Sequence, residues 1–410
     1  MQTLCILGRQ PALGRAELES LYGAAHVTPV GTQAMLCALP AASVDFARLG
    51  GVVKLCEVLT TVTSTNWREL QAAVIVAGRE LGDQISEGKI QLGLSAYDLH
   101  VSARQLNAGG LELKKALRAG GHSVRLVPNQ AAALNSAQVL HNHLTGERGI
   151  ELVLVRHGHQ TILARTVAEQ DIASYTERDR GRPKRDAYVG MLPPKLAQTI
   201  VNLAVGQTPP SPDFVVLDPF CGTGVVLQEA LLMGYGSYGT DLDQRMVDYS
   251  VTNVQDWLMA EHPELRAKST IAAGDATSHQ WQDSHYDKQR DTMIWESARI
   301  GAIACETYLG QPFNTAPSPE KLAKVRETCN VIIEKFLRNI GGQIAPGTRL
   351  CLAVPAWQTR PGNFTHLPLL DRLSNLGYNR IDFKYVRASE LMYYRPDQVV
   401  ARELLVITRK

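Results

Sequence analysis

The chain has 410 residues, 45% hydrophobic and 20% charged, a globular composition with room for two or three domains that excludes disorder, collagen-like repeats and coiled coil. Forty-two Lys and Arg against forty Asp and Glu leave a formal charge of +2, so no global positive field exists to hold a polyanion, and any nucleic-acid contact must use local basic patches. Seven scattered cysteines without a CxxC pair suit free buried thiols and a reducing cytoplasmic home; the N-terminus does not read as a secretory signal, and no apolar run reaches the roughly 18 residues that span a bilayer.

Residues 1–61 read as a small α+β lobe. Its expected elements are a strand at Thr3–Leu7, a helix at Arg15–Leu21, apolar alternation over Ala34–Leu39, a helix near Ala42–Arg48 and a strand from Val52 to Val58. Residues 62–167 alternate more tightly: helix Trp67–Leu81, strand Ile90–Tyr97, helix Gly110–Ala119, strand His122–Val127, helix Gln130–His143, then strands Glu151–Arg156 and Gln160–Val167. Periodicity stops over 168–186, where basic residues crowd into Arg178–Arg185, and this stretch reads as a linker. Residues 187–410 open on Pro193-Pro194, which can start a helix through Val205. They continue as apolar strands alternating with helices, the pattern of a doubly wound, mostly parallel sheet. Leu391–Thr408 reads instead as an antiparallel hairpin at the sheet edge, turning at Arg395-Pro-Asp-Gln398.

Phe214–Ala230 spells strand, glycine turn and helix, the place where open α/β sheets bind nucleotides. Gly222 and Gly224 let backbone approach a ligand beside Phe220. A dinucleotide fingerprint needs a third glycine at position 227, where Leu227 stands, and no GK[ST] follows the turn as a phosphate loop requires. Asp218-Pro219 leads the turn instead, and a carboxylate there repels pyrophosphate but attracts a cationic amine. S-adenosylmethionine carries an ammonium, a sulfonium and no phosphate, and is the cofactor this pattern suits. Asp241, twenty-three residues after Asp218, is placed to accept from ribose hydroxyls, while Asp275-Ala276 ends a third strand where an adenine amine needs an acceptor. Asp243 serves equally well as the cap of a helix starting at Gln244.

The fourth strand is expected at Ile300–Cys305, followed by Glu306-Thr-Tyr-Leu-Gly310. An exocyclic base amine is a poor nucleophile, so methylating one needs acceptors for its hydrogens and a flat surface for the base. Glu306 and the Thr307 carbonyl can accept, and Tyr308 or Phe313 can stack.

Together these residues resemble the THUMP-containing tRNA guanosine N2-methyltransferases that modify guanine 10, within the class I S-adenosylmethionine-dependent superfamily. The resemblance runs through Asp186, Gly190-Met-Leu-Pro-Pro-Lys-Leu-Ala197, Asn202-Leu-Ala204, Asp218-Pro-Phe-Cys-Gly-Thr-Gly224, Gly239-Thr-Asp-Leu-Asp243, Tyr394-Arg-Pro396 and Arg402-Glu403. Leu7–Gly14 and Leu49-Gly-Gly51 resemble that family's N-terminal lobe, and Ile90–Thr166 its THUMP domain. It implies a Rossmann-like, seven-stranded methyltransferase domain preceded by a ferredoxin-like lobe and a THUMP-like domain, with a tRNA substrate. One departure stands out: the family places Asp or Asn, Pro, Pro and an aromatic where this chain has Glu306, Thr307, Tyr308 and Leu309. A bacterial branch carries a Glu-x-Tyr-Leu-Gly version. Methylation of adenine N6, or a vestigial enzyme that only binds RNA, remain the alternatives.

Candidate RNA contacts are Arg104, Lys114, Lys115, Arg118 and Arg125 in the THUMP-like stretch and Arg182 and Arg185 in the linker. A solvated helix face explains any one of them alone. His141-Asn142-His143 belongs to a helical pattern and His157-Gly158-His159 to a turn between strands, so neither is read as a metal site.

Overall fold

The structure, a computed structural model, describes every residue except 1, 187–191, 266–267, 288–291, 314, 361 and 396–397, and over 283–287 and 292–297 it describes the backbone alone. Gly190 and Met191 of the Gly190–Ala197 motif, and Pro396 and Asp397 of the expected hairpin turn, therefore lie outside the described residues. Contacts divide the chain into two compact units, Met1–Ser174 and Tyr175–Lys410. All seven cysteines are free and buried, as their scatter suggests.

In the first unit, β1 (Thr3–Leu7), β2 (Val27–Val30), β3 (Ala34–Cys37), β4 (Val52–Val62), β5 (Lys89–Tyr97), β6 (Ser123–Leu126), β7 (Gly149–His157) and β8 (Gln160–Glu169) form one eight-stranded sheet. The order is β2-β3-β1-β4-β8-β7-β5-β6, with β5 parallel to both its neighbours. The division expected at 61–62 falls at the end of β4, whose antiparallel pairing with β8 joins both stretches into this sheet. Helices α1 (Pro11–Tyr22), α2 (Trp67–Asp83), α3 (Ala103–Ala119) and α4 (Ser136–His141) belong to the same unit. On α2 and α3 the apolar spacing is helical, and Leu70, Val74, Leu81, Leu106, Leu113 and Leu117 share a buried cluster with Leu92, Leu94, Ile150 and Leu152.

Three local expectations change here. The helix expected near Ala42–Arg48 is two single 3₁₀ turns, Ala41–Ser43 and Phe46–Arg48, each too short to bury a face. Helix α3 starts at Ala103 rather than Gly110, because Ser102 and Gln105 form a reciprocal capping box and Gly109 lies under the Trp67 ring, where a Cβ would come within 2.6 Å. The helix expected at Gln130–His143 is limited to Ser136–His141, capped by the same device from Asn135 and Gln138.

Between the sheets, residues expected as an unstructured linker coil into α5 (Ile172–Thr176) and one wide turn, Glu177–Gly181. In the second unit, Arg178 forms a 2.5 Å ion pair with Glu229, whose side chain is fully buried. Burial pushes the Glu229 carboxyl up to about 7, against the pull of the Arg178 charge. The charge run is thus partly an internal brace.

The second unit contains β9 (Val215–Asp218), β10 (Gly236–Asp241), β11 (Ser269–Ala273), β12 (Gln282–Asp287), β13 (Thr292–Ser297), β14 (Ile300–Glu306), β15 (Arg349–Arg360), β16 (Asn363–Thr365), β17 (Tyr378–Arg380), β18 (Met392–Tyr393) and β19 (Val400–Arg409). Its main path is β11-β10-β9-β14-β15-β19-β17, with β16 beside β15, β18 beside β19, and β12–β13 a separate ribbon. Strands from β11 to β15 pair in parallel, and β19 runs antiparallel to both β15 and β17. This is the expected seven-stranded plan, except that β19 is an interior strand rather than the rim.

Helices α6 (Pro194–Val205), α7 (Val225–Leu232), α8 (Gln244–Val251), α9 (Met259–Glu261) and α10 (Pro319–Gly341) complete the unit. Ser318 caps α10, and Cys329, Ile333, Phe336, Leu337 and Ile340 pack into one core with Ile303, Leu350 and Leu352 of β14 and β15. Chain order reverses between β9 and β14, the switch point at which open α/β sheets form a crevice at the carboxyl ends of their strands.

Candidate active site

The crevice is a cavity of about 870 Å³ lined by the ends of β9, β10, β11 and β14 and by one face of α10. It brings together Asp218, Phe220, Gly222, Asp241, Asp275, Ala276, Glu306, Thr307 and Tyr308. These are the strand-end acids and neighbours that the sequence singles out.

Asp218 ends β9 and is 2% exposed, with Oδ1 accepting from the Phe220 N–H at 3.1 Å. Burial pushes its carboxyl well above the ordinary carboxylate range, the Phe220 N–H pulls it back, and the charges of Asp241 and Glu306 push the same way as burial. Asp241 ends β10; its two oxygens accept from the Gly222 and Asp243 N–H groups at 2.9 and 3.0 Å, and burial raises it too. Asp275 sits just past β11, more exposed, and the Thr277 N–H at 2.9 Å and hydroxyl at 2.8 Å hold it below the usual range. Asp243 caps α8 by accepting from Arg245 N, as expected, and it also lines the cavity.

Gly224 is the exception among the cofactor candidates. It does not line the cavity; its φ of 83° makes the left-handed turn into α7, and a Cβ would lie 2.9 Å from Val254. Leu227 stands where a dinucleotide site needs glycine, and it packs so closely on Gly239 that a Cβ there would come within 2.5 Å of Leu227 Cδ1. A leucine filling the gap between α7 and β10 sets the helix apart from the glycine-packed geometry under a pyrophosphate.

The loop is held from behind by Asn253, which is 1% exposed. Its Nδ2 donates to the carbonyls of Thr223 and Lys184, and its Oδ1 accepts from Lys184 N, each at 2.9 Å. Arg182 adds a bond from Nη1 to Thr223 Oγ1 at 3.2 Å and is 3% exposed, so it braces this loop and is not an RNA-facing residue. Arg185 is exposed. The same stretch carries Asp186 to the cavity wall, where it pairs with Arg245 at 3.1 Å.

On β14, Glu306 projects into the cavity and accepts a hydrogen bond from Arg402 Nε. Burial raises its carboxyl, and the Arg402 charge pulls it back down. Thr307 N and Oγ1 both donate to the Ala353 carbonyl, at 3.0 and 3.2 Å, which fixes the peptide after Glu306. Tyr308 is 44% exposed and lines the cavity, whereas Phe313 packs against the hydrophobic core with Lys321 5.2 Å from its ring centre. Of the two aromatics considered for stacking, Tyr308 is the one at the cavity.

Asp186, Arg402 and Lys335 of α10 have no role in the sequence reading. Asp186 and Arg402 stand inside the quoted motifs, and Lys335 shares with Thr328 and Val331 a solvent-side helical stripe that reaches the cavity. In the first unit, Arg104, Lys115, Arg118 and Arg125 are exposed, Lys114 is half-buried, and Lys115 pairs with Glu112 at 2.7 Å.

The donor set fits an adenosine carrying a cation. The carboxylates repel phosphate, and among the described residues the groups that shift the raised Asp218 carry no positive charge, a place an ammonium suits.

Residues 182–273 match the family model of the RMKL-like methyltransferase domain. A tRNA (guanine(10)-N2)-dimethyltransferase of Methanothermobacter thermautotrophicus is 29% identical over 196 residues, 47% of this chain and 47% of the relative. The corresponding protein of Methanocaldococcus jannaschii is 35% identical over 97 residues, 24% and 26% of the two chains. The matched stretch therefore spans less than half of either relative. The crystal structure of TrmN from Thermus thermophilus superposes with a TM-score of 0.51 at 17% identity over 100% of both chains, which shows a shared fold.

Proposed function

We propose that this chain, through its RMKL-like methyltransferase domain, is an S-adenosylmethionine-dependent enzyme that methylates the exocyclic N2 of a guanosine in tRNA, the position-10 type, in the cytoplasm. The observation that carries the reading is the meeting of Asp218, Asp241, Asp275 and Glu306 with Tyr308 in one cavity at the switch point of the sheet. The curated relatives, named for guanine-10 N2 methylation, support the choice of base and of RNA.

Asp218, Phe220, Gly222, Asp241, Asp275 and Ala276 would hold the cofactor, which supplies an electrophilic methyl group. Asp241 keeps spare lone pairs for two ribose hydroxyls even though each oxygen already accepts one backbone N–H. Asp218 gives up its proton when a cation settles beside it. Tyr308 offers a face for the target base at the cavity mouth, and Glu306 accepts a proton from the exocyclic amine. The bound cofactor would supply the methyl group, and Glu306 would take the proton that the amine gives up on accepting it. No covalent enzyme intermediate is needed.

We assign the first unit the role of a THUMP-like RNA grip, with Arg104, Lys114, Lys115, Arg118 and Arg125 as its basic patch and Arg185 as a further contact. Incubating the protein with S-adenosylmethionine and unmodified tRNA transcripts, then digesting the RNA for nucleoside mass spectrometry, tests the reading. N2-methylguanosine or N2,N2-dimethylguanosine is the expected product. N6-methyladenosine would transfer the activity to the other base, and no methylated nucleoside would leave an RNA-binding protein.

A further inference from the structure

We propose that Arg402 is a positioning residue for Glu306: from β19 it binds one carboxylate oxygen, leaves the other for the incoming amine, and sets a positive charge beside Glu306. The inference rests on the preceding reading only in taking Glu306 as the proton acceptor.

Arg402 Nε donates to Glu306 Oε1, and the two side chains are 9% and 15% exposed. Arg402 itself is absent from the cavity wall, so it acts from behind. Its place is set by sheet register: on β19 it lies opposite Pro355 of β15 and Tyr393 of β18, and its guanidinium sits 6.0 Å from the Tyr393 ring centre. The carboxylate it holds belongs to β14, two strands away, where Glu306 lies opposite Ala353 of β15. Small Ala353 between them leaves the path open.

Of two buried carboxyls that share a cavity, each makes ionisation of the other harder, and a positive charge beside one favours that one. Among the described residues, the charged groups facing Glu306 are Asp218 from β9 and Arg402 from β19, and its β15 neighbour Ala353 carries none. Arg402 contacts Glu306 but is not a partner of Asp218, whose neighbours are the Phe220 N–H, Asp241 and Glu306. One arginine therefore biases the pair, favouring ionisation of Glu306 over that of Asp218. A proton acceptor that must be ionised before reaction needs such a bias.

The test uses the full chain with Arg402→Met, Arg402→Gln as a second charge-free variant should the first not fold, and Arg402→Lys, which keeps the charge. Carbon-13 NMR of labelled glutamate, with the Glu306 carboxyl resonance assigned through Glu306→Gln, gives its titration midpoint without requiring turnover. Removing the charge should raise that midpoint by about one to three pH units, the range an adjacent opposite charge commands, and Arg402→Lys should restore most of it. The pH profile of single-turnover methyl transfer should move alkaline by the same amount, with full rate recovered at high pH. An unchanged midpoint in a folded charge-free variant overturns the proposal, as does an equal shift in Arg402→Lys. A shifted midpoint in a protein that methylates no tRNA guanine upholds the pairing and removes the substrate reading. An unshifted midpoint in one that does methylate does the reverse.

Discussion

Asp218 is a carboxyl with almost no water, one N–H donor and two negative neighbours, facing an open cavity. Its raised pKa means that the free protein holds a proton there at pH values where an ordinary carboxylate has none. A cationic ligand favours the ionised form, so binding expels that proton. The sign follows: affinity for S-adenosylmethionine rises with pH up to the midpoint of Asp218 in the free protein and falls again where the cofactor's own ammonium loses its proton. Calorimetry in buffers of different ionisation enthalpy should detect the released proton, and Asp218→Asn should abolish it. At Glu306, replacement by Gln should lower single-turnover transfer at saturating cofactor by roughly 10²- to 10⁴-fold, the loss expected when a proposed proton acceptor is removed. Asp218, Asp241 and Glu306 are legible in the sequence because each ends an apolar run followed by a turn. Arg402 is not, since its partner lies 96 residues away and only the antiparallel insertion of β19 brings the two together.

At the scale of elements, the turn before α7 depends on parts far along the chain. Asn253 binds both Thr223 and Lys184, tying the stretch that delivers Asp186 to the loop that carries Gly222. Asn253→Ala would leave the buried Thr223 carbonyl without this partner, at a cost of about 1–3 kcal/mol, and would release the part-buried carbonyl and N–H of Lys184 to water. Thermal or urea unfolding should show that loss, and cofactor affinity should fall with it. Gly224→Ala should also destabilise the protein, since it forces a side chain onto a φ of 83° against Val254. The glycine turn itself is legible from Asp218 to Gly224. Its backing is not: Arg178–Arg185 reads as a solvated charge run, yet Arg182 is buried against Thr223 and Arg178 against Glu229, a distinction made only by tertiary packing. The late start given to α3 has a local cause instead. Gly109-Gly110 looks like a break, and the Ser102–Gln105 capping box that overrules it sits farther upstream.

For the molecule as a whole, a charge of +2 gives no long-range attraction for RNA, so the proposed binding must come from a concentrated face. Arg104, Lys115 and Arg118 fall on one exposed side of α3, with Arg125 exposed on β6. Replacing all four by Ala should raise the KM for tRNA by roughly tenfold or more and flatten its dependence on salt, while the dissociation constant for S-adenosylmethionine stays unchanged. A matching loss of cofactor affinity would show that these residues support folding instead. No helix among the described residues is long and apolar enough to cross a membrane.

Recognition of S-adenosylmethionine by the carboxylates at the ends of the parallel strands is tested most directly by titrating the full chain with the cofactor in a calorimeter. Saturable 1:1 binding that weakens roughly tenfold or more in Asp241→Asn, where two charged hydrogen bonds to ribose are lost, is the predicted result. Absence of binding to the unaltered protein, or equal affinity in Asp241→Asn, would contradict it.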